Sequence, residues 1–175
     1  MKYRKYFRKT SLKQKGVGEF FLDEVKKKKP KVFLEVGVFH GVTARNVCEL
    51  LSSIHKDEFQ YVGVDLFEES YENENEVIPN THFSNPLKRI YFNYIKRQNP
   101  YSKKAVEDLL KKFEENVSLI QGNSNKVLKK IDMSKVDYDL SYAPGVKQAI
   151  DEFVGKNNFN CKIICNNRFA KIEKH

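Results

Sequence analysis

"LEVGVFHGVT", Leu34 to Thr43, decides how the rest of the chain is read. The apolar run Val32-Phe33-Leu34 breaks at a lone glutamate, Glu35. Two glycines follow, Gly37 and Gly41, and then Thr43. The pattern predicts a buried strand, a turn and a helix. Such a unit lets backbone N–H groups approach a ligand, with the helix N-terminus just beyond. Gly37 would permit the sharp exit and Gly41 the close approach. The spacing is G-x-x-x-G rather than G-x-G-x-x-G, so a dinucleotide pyrophosphate is not the natural guest. Glu35 adds an anionic acceptor beside the turn, which suits a ligand carrying a cation or donors.

On either side of this unit the periodicity continues. Val17, Phe20, Phe21 and Val25 have helical spacing over Val17–Lys27, and Pro30 closes that element. Lys31–Val38 reads as the strand and Thr43–Ile54 as the helix, with Gln60–Leu66 as a second strand. Residues 67–86 are polar, acidic and carry prolines, a long loop. Leu87–Arg97 reads as helical. Ser102 is an N-cap for a helix to Glu115, with Ala105, Val106, Leu109, Leu110 and Phe113 repeating properly. Val117–Gln121 is a third strand, Asn125–Ile131 a short helix, Val136–Leu140 a fourth strand and Val146–Val154 a helix. Cys161–Cys165 and Arg168–Ile172 flank Asn166-Asn167, a pair suited to a two-residue hairpin turn. Strands alternating with helices and closing on a hairpin predict an α/β domain with a mostly parallel, Rossmann-like sheet and helices on both faces.

The bounds agree with one such domain over residues 1–175, of which 1–30 form a basic arm and helix and 67–101 an insertion or lid. No stretch approaches the roughly 20 apolar residues of a membrane span. The basic start, MKYRKYFRKT, has no apolar signal region behind it, and the three cysteines, Cys48, Cys161 and Cys165, make no metal-like cluster. A cytoplasmic protein with reduced thiols and no metal is the expectation. Residues 1–31 hold 12 Lys/Arg against 3 Asp/Glu, and the remainder holds 20 against 20. The whole excess charge therefore sits in the N-terminal segment. An anionic partner such as nucleic acid or a lipid surface is one reading of it. A solvated arm is the favoured reading, since no RNP-like or zinc-finger pattern lies beside it. The aromatic-basic stretch KRIYFNYIKRQNPY is likewise read as an amphipathic lid helix with basic flanks.

The opening stretch resembles motif I of the class I S-adenosylmethionine (SAM) methyltransferases, E-x-G-x-x-x-G-x-T. Two further pieces fit. "YVGVDLFEE" ends its strand in Asp65, where that family has an acidic residue accepting both ribose hydroxyls, and a carboxylate can take two such donors. "VSLIQGNSNKVL" resembles the third-strand motif, in which the residue after the glycine contacts adenine; many relatives have Asp where this chain has Asn123. The resemblance covers residues 17–135 and leans towards the small-molecule branch. It implies SAM as cofactor, held by Glu35, Gly37, His40, Gly41, Thr43, Asp65, Gly122, Asn123 and Ser124, and a small-molecule acceptor. Each piece alone also reads as plain structure: a tight connection, a loop carboxylate, a turn with an N-cap, a structural histidine. Three in order, each at a strand's C-terminal end, favour the cofactor site.

The C-terminal third departs from the family pattern. "VDYDLSYAPGVKQAIDEF" runs from the fourth strand straight into a helix and then the hairpin, so the chain reads as one strand–helix unit short of the family's seven strands. The expected outcome is a six-stranded sheet in which Arg168–Ile172 docks antiparallel to Val136–Leu140. A base for a hydroxyl acceptor would come from Asp137, Asp139 or Tyr142, and none of them is assigned. A catalytically impaired SAM-binding remnant or interaction module is the alternative, and a nucleic-acid-binding protein a further one.

Overall fold

The computed structural model describes residues 12, 14–67, 87, 90, 91, 94, 99, 101–131, 138–141, 160–164 and 169–173. Its elements are α1 (Val17–Lys28), β1 (Val32–Val36), α2 (Val42–His55), β2 (Gln60–Asp65), α3 (Lys103–Leu110), β3 (Val117–Gln121), α4 (Ser124–Val127), β4 (Tyr138–Ser141), β5 (Asn160–Ile164) and β6 (Phe169–Glu173).

Local chemistry sets the boundaries. α1 buries Phe21, Leu22 and Val25, and Lys26, Lys27 and Lys28 face the negative end of its dipole. Lys29 takes a left-handed φ of 48° and donates its N–H to Val25 O, ending the helix before Pro30. β1 is shorter than the pattern predicts. Gly37 N–H makes a last rung to Val64 O (2.9 Å), and the chain then turns out of the sheet. α3 begins where expected, with Ser102 Oγ accepting the N–H of Ala105 at 3.1 Å. It stops at Leu110, and a 3₁₀ turn over Lys111–Phe113 replaces the rest of the predicted helix. Only three residues, Glu114 to Asn116, connect that turn to β3. The tighter bonds Glu114 N–H to Lys111 O (3.3 Å) and Asn116 N–H to Phe113 O (2.9 Å) reverse the chain in that space. Phe113 is thereby buried, edge-on to Phe59 at 6.3 Å between ring centroids. The short helix after β3 starts at Ser124, one residue early, and tightens to 3₁₀ over Leu128–Lys130.

The sheet order is β3-β2-β1-β4-β6-β5. β1 pairs in parallel with β2 and β4, and β2 with β3. Parallel pairing at this register puts Phe33 and Glu35 of β1 on one face with Tyr61, Gly63 and Asp65 of β2. That face carries the main core. Phe33 stacks on Tyr61 (6.1 Å), and α1, α2 and α3 cover both rings with Val25, Val47, Leu51, Val106 and Leu110. Leu34, Val36 and Val64 point the other way, under Val127, Leu128 and Ile131. Helices therefore lie on both faces.

The C-terminal strands pair as the abridged pattern predicts. β6 lies antiparallel to β4, with Leu140 opposite Lys171 and Ser141 opposite Ala170, and β5 lies antiparallel outside it. No strand stands between β4 and β6, and among the described residues the sheet has six strands. Ile164 pairs with Phe169, and the expected turn at Asn166-Asn167 lies outside the described residues. So do the basic segment 1–11, nearly all of the loop 67–86 and the expected helix Val146–Val154. Of the expected helix Leu87–Arg97, Leu87, Ile90, Tyr91 and Tyr94 are described, all four exposed.

Candidate functional site at the strand C-termini

The strand order reverses between β1 and β4, and ligands of open α/β sheets bind where it does, beyond the strand C-termini. Asp65 ends β2 beside that point, half-buried. Its Oδ2 accepts the backbone N–H of Phe39 at 2.7 Å, which ties it to the glycine turn after β1. Its Oδ1 accepts the Phe67 N–H at 3.2 Å and the Tyr101 hydroxyl at 2.7 Å. Its own backbone oxygen accepts the N–H of Gly122 at 2.9 Å, which draws in the turn after β3. One residue thus gathers the turns that follow three neighbouring strands.

Gly37 and Gly41 serve different ends. Gly37 has φ +87° and is exposed, and no described atom lies within 4 Å of where a Cβ would stand. A ligand could fill that space against bare backbone. Gly41 caps α2 at φ +71°, and a Cβ there would stand 2.8 Å from Val106 Cγ1 and 3.3 Å from Leu109 Cδ2. Its close approach is thus to α3. Gly41→Ala should cost about 2 kcal/mol, combining a left-handed backbone with overpacking. Urea unfolding measures it, and an unchanged midpoint would contradict the packing described.

Glu35 is buried in the sheet rather than an open anionic acceptor beside the turn. It is 8% exposed, and its Oε2 accepts the hydroxyl of fully buried Tyr61. Burial pushes its carboxyl up to about 8, opposed by the Tyr61 hydrogen bond and reinforced by the charge of Asp65. The same burial holds the Tyr61 hydroxyl and the Cys48 thiol protonated. Asp65, half-buried, and Glu35, buried and held protonated near neutral pH, thus lie on one face of the sheet.

The other residues singled out in the sequence take these places. His40 is half-buried in the turn, its ring 3.8 Å from Phe39 and 6.4 Å from Tyr101. Thr43 lies in the first turn of α2, half-buried. Asn123 O accepts the N–H groups of Lys126 and Val127 at 3.0 Å each, and Ser124 opens α4. Asp139 is on β4 at the register position of Leu34, two residues short of the strand's end. Asp137 and Tyr142 lie outside the described residues. Sequence reasoning missed Phe39 N–H, Tyr61 and Tyr101. Period-two alternation from Tyr61 through Gly63 to Asp65 was a signal for the second. The third sits 36 residues from Asp65 and had none.

The turns, the paired acids and the strand order define a class I, SAM-dependent methyltransferase fold. The chain belongs to the family described as "Methyltransferase domain", which matches residues 34–161. S-adenosylmethionine is the cofactor of that family. Among solved structures the chain is similar to the methyltransferase PaMTH1 of Podospora anserina, bound to S-adenosylhomocysteine (SAH). The identity is 16%, over 90% of this chain and 77% of that one, with a TM-score of 0.51. It is also similar to the O-methyltransferase NovP, at 13% identity over 91% and 80% of the two chains and a TM-score of 0.55. These likenesses are of fold. No curated protein matches the chain.

Proposed function

We propose that this chain binds SAM across the C-terminal ends of β1, β2 and β3 and passes its methyl group to a small-molecule acceptor. The observation that carries the reading is Asp65, a half-buried carboxylate tied to the turns after β1 and β3 and still open to a further donor. In this reading Asp65 takes ribose hydroxyls, Gly37 leaves room for the aminoacyl portion, and Asn123 and Ser124 meet the adenine. Glu35 faces the cationic end, with His40, Gly41 and Thr43 shaping the turn that closes over it. The fit is supported by the open space at Gly37 and by Asp65 at the end of the neighbouring strand.

Bound SAM would supply a methyl group on a sulfonium, open to in-line attack. The chain's own contribution is to hold the ligand, orient it and exclude water, and for methyl transfer such positioning supplies much of the rate. A hydroxyl acceptor also needs a proton acceptor near the end of β4. Direct docking of β6 on β4 favours a second reading, a SAM binder with weak transfer. Transfer of label from SAM to a metabolite extract separates the two.

Asp65→Ala should weaken SAH binding by about 2 kcal/mol, the scale of hydrogen bonds to a charged group, and leave the core folded. Calorimetric titration reads the affinity and thermal unfolding the fold. Unchanged affinity in a folded variant removes Asp65 from the site.

A further inference from the structure

We infer that Tyr101 sets the affinity of this site for a nucleoside by occupying an acceptor position that the ribose needs, an inference that rests on the SAM-binding reading. An ionised carboxylate offers about four lone-pair positions, two on each oxygen. Asp65 Oδ1 uses both of its positions, for Phe67 N–H at 3.2 Å and for the Tyr101 hydroxyl at 2.7 Å. Oδ2 uses one, for Phe39 N–H at 2.7 Å. One ribose hydroxyl can therefore be accepted with Tyr101 in place. The vicinal pair, one hydroxyl to each oxygen, is accepted only when one donor to Oδ1 leaves.

Of the two donors to Oδ1, Tyr101 is the one that can leave. Phe67 N–H is backbone, two residues along from Asp65, and Phe67 itself is fully buried. Tyr101 is also buried, 6% exposed, but its hydroxyl sits on a side chain and can move without the backbone. The Tyr101 backbone stays fixed meanwhile, its N–H held by Asn99 Oδ1 at 2.9 Å and the next residue, Ser102, capping α3. The Tyr101 ring rests 5.4 Å from Phe39 and 6.4 Å from His40. Its withdrawal would therefore be felt in the glycine turn, which the same Asp65 holds through Phe39 N–H. Tyr101 and the second ribose hydroxyl are competitors for one oxygen, and a nucleoside that gives both hydroxyls to Asp65 must displace the tyrosine.

The test is calorimetric titration of the full chain and of Tyr101→Phe with SAH and with its 2′,3′-dideoxy analogue. Tyr101→Phe keeps the ring and removes only the competing hydroxyl. SAH should bind about tenfold more tightly to the variant, the scale of one hydrogen bond to a charged acceptor. The dideoxy analogue should bind both proteins equally. Equal or weaker SAH binding by the variant, with the wild type binding, overturns the inference and leaves the proposed function standing. Equal tightening of both ligands marks a general loosening and also overturns it. Absence of SAH binding by both proteins overturns the proposed function and this inference together. The wild type gives a second measurement that needs no variant. It should prefer SAH to the dideoxy analogue by no more than about tenfold, because displacing Tyr101 offsets one of the two ribose bonds. A preference of about a hundredfold would contradict the competition.

Discussion

Glu35→Gln should gain about 4 kcal/mol of stability relative to the wild type as the pH is raised from near 5 to about 9. In the folded chain the Glu35 carboxyl is pushed from 4.5 up to about 8, first by burial, with Asp65 adding to the rise and Tyr61 opposing it. Below about pH 4.5 both the folded and the unfolded chain keep this proton, and the group imposes no penalty. Between there and about pH 8 the unfolded chain releases the proton and the folded chain retains it. Folding then takes up a proton, so stability falls as the pH rises, and the loss levels off above about 8. Glutamine has no such titration, and its Oε1 can still accept the Tyr61 hydroxyl. The difference between the two urea-unfolding curves therefore isolates Glu35 from every other titrating group. Parallel pH profiles would show that the carboxyl is ionised in the fold throughout. A cationic ligand seated beside Glu35 should reverse the shift, so SAM should bind with proton release near pH 7, and SAH, without the sulfonium, with less. The heat of binding would then vary with the ionisation enthalpy of the buffer.

That effect was only half legible in the sequence. Glu35 was conspicuous because a charge breaks an apolar run, but its partner was not. Tyr61 reaches it across the β1–β2 pairing, and only the register, Phe33 opposite Tyr61 and Glu35 opposite Gly63, puts the hydroxyl and the carboxylate together. Elements with strong local signals came out close to their true bounds. β3 matches at both ends, and α1 gains one residue, because each is a short periodic run between clear stops. The helical spacing overruns α3 because Phe113 continues it, and no local rule announces the 3₁₀ turn that brings Phe113 against Phe59. The direct pairing of β6 with β4 was legible as a shortage of chain. In the site, the three strand-end turns were legible. The bond from Tyr101 was not, since it spans the whole 67–101 insertion and depends on where α3 docks.

Gly63→Val should cost about 3 kcal/mol and loosen SAH binding about tenfold, two losses with a single origin. Glycine in mid-strand weakens a sheet unless something must come close, and here three side chains do. A Cβ on Gly63 would stand 2.8 Å from Leu119 Cδ2, 2.8 Å from Val38 Cγ2 and 3.1 Å from Tyr61 Cε1. Leu119 can rotate part of the way. Val38 has less freedom, being β-branched and 3% exposed, and its backbone oxygen accepts Gly41 N–H at 2.9 Å inside the glycine turn. A valine at position 63 would push Val38 outward, and Phe39, the next residue, would carry its N–H away from Asp65. Stability falls through overpacking, and affinity falls because the turn and Asp65 lose their common bond. Val38→Ala in the same chain should restore most of both, a coupling well beyond additivity for residues in direct contact. Urea unfolding and SAH titration of the two single variants and the double variant measure it. Purely additive losses would mean that Gly63 is small for a reason unconnected with the turn.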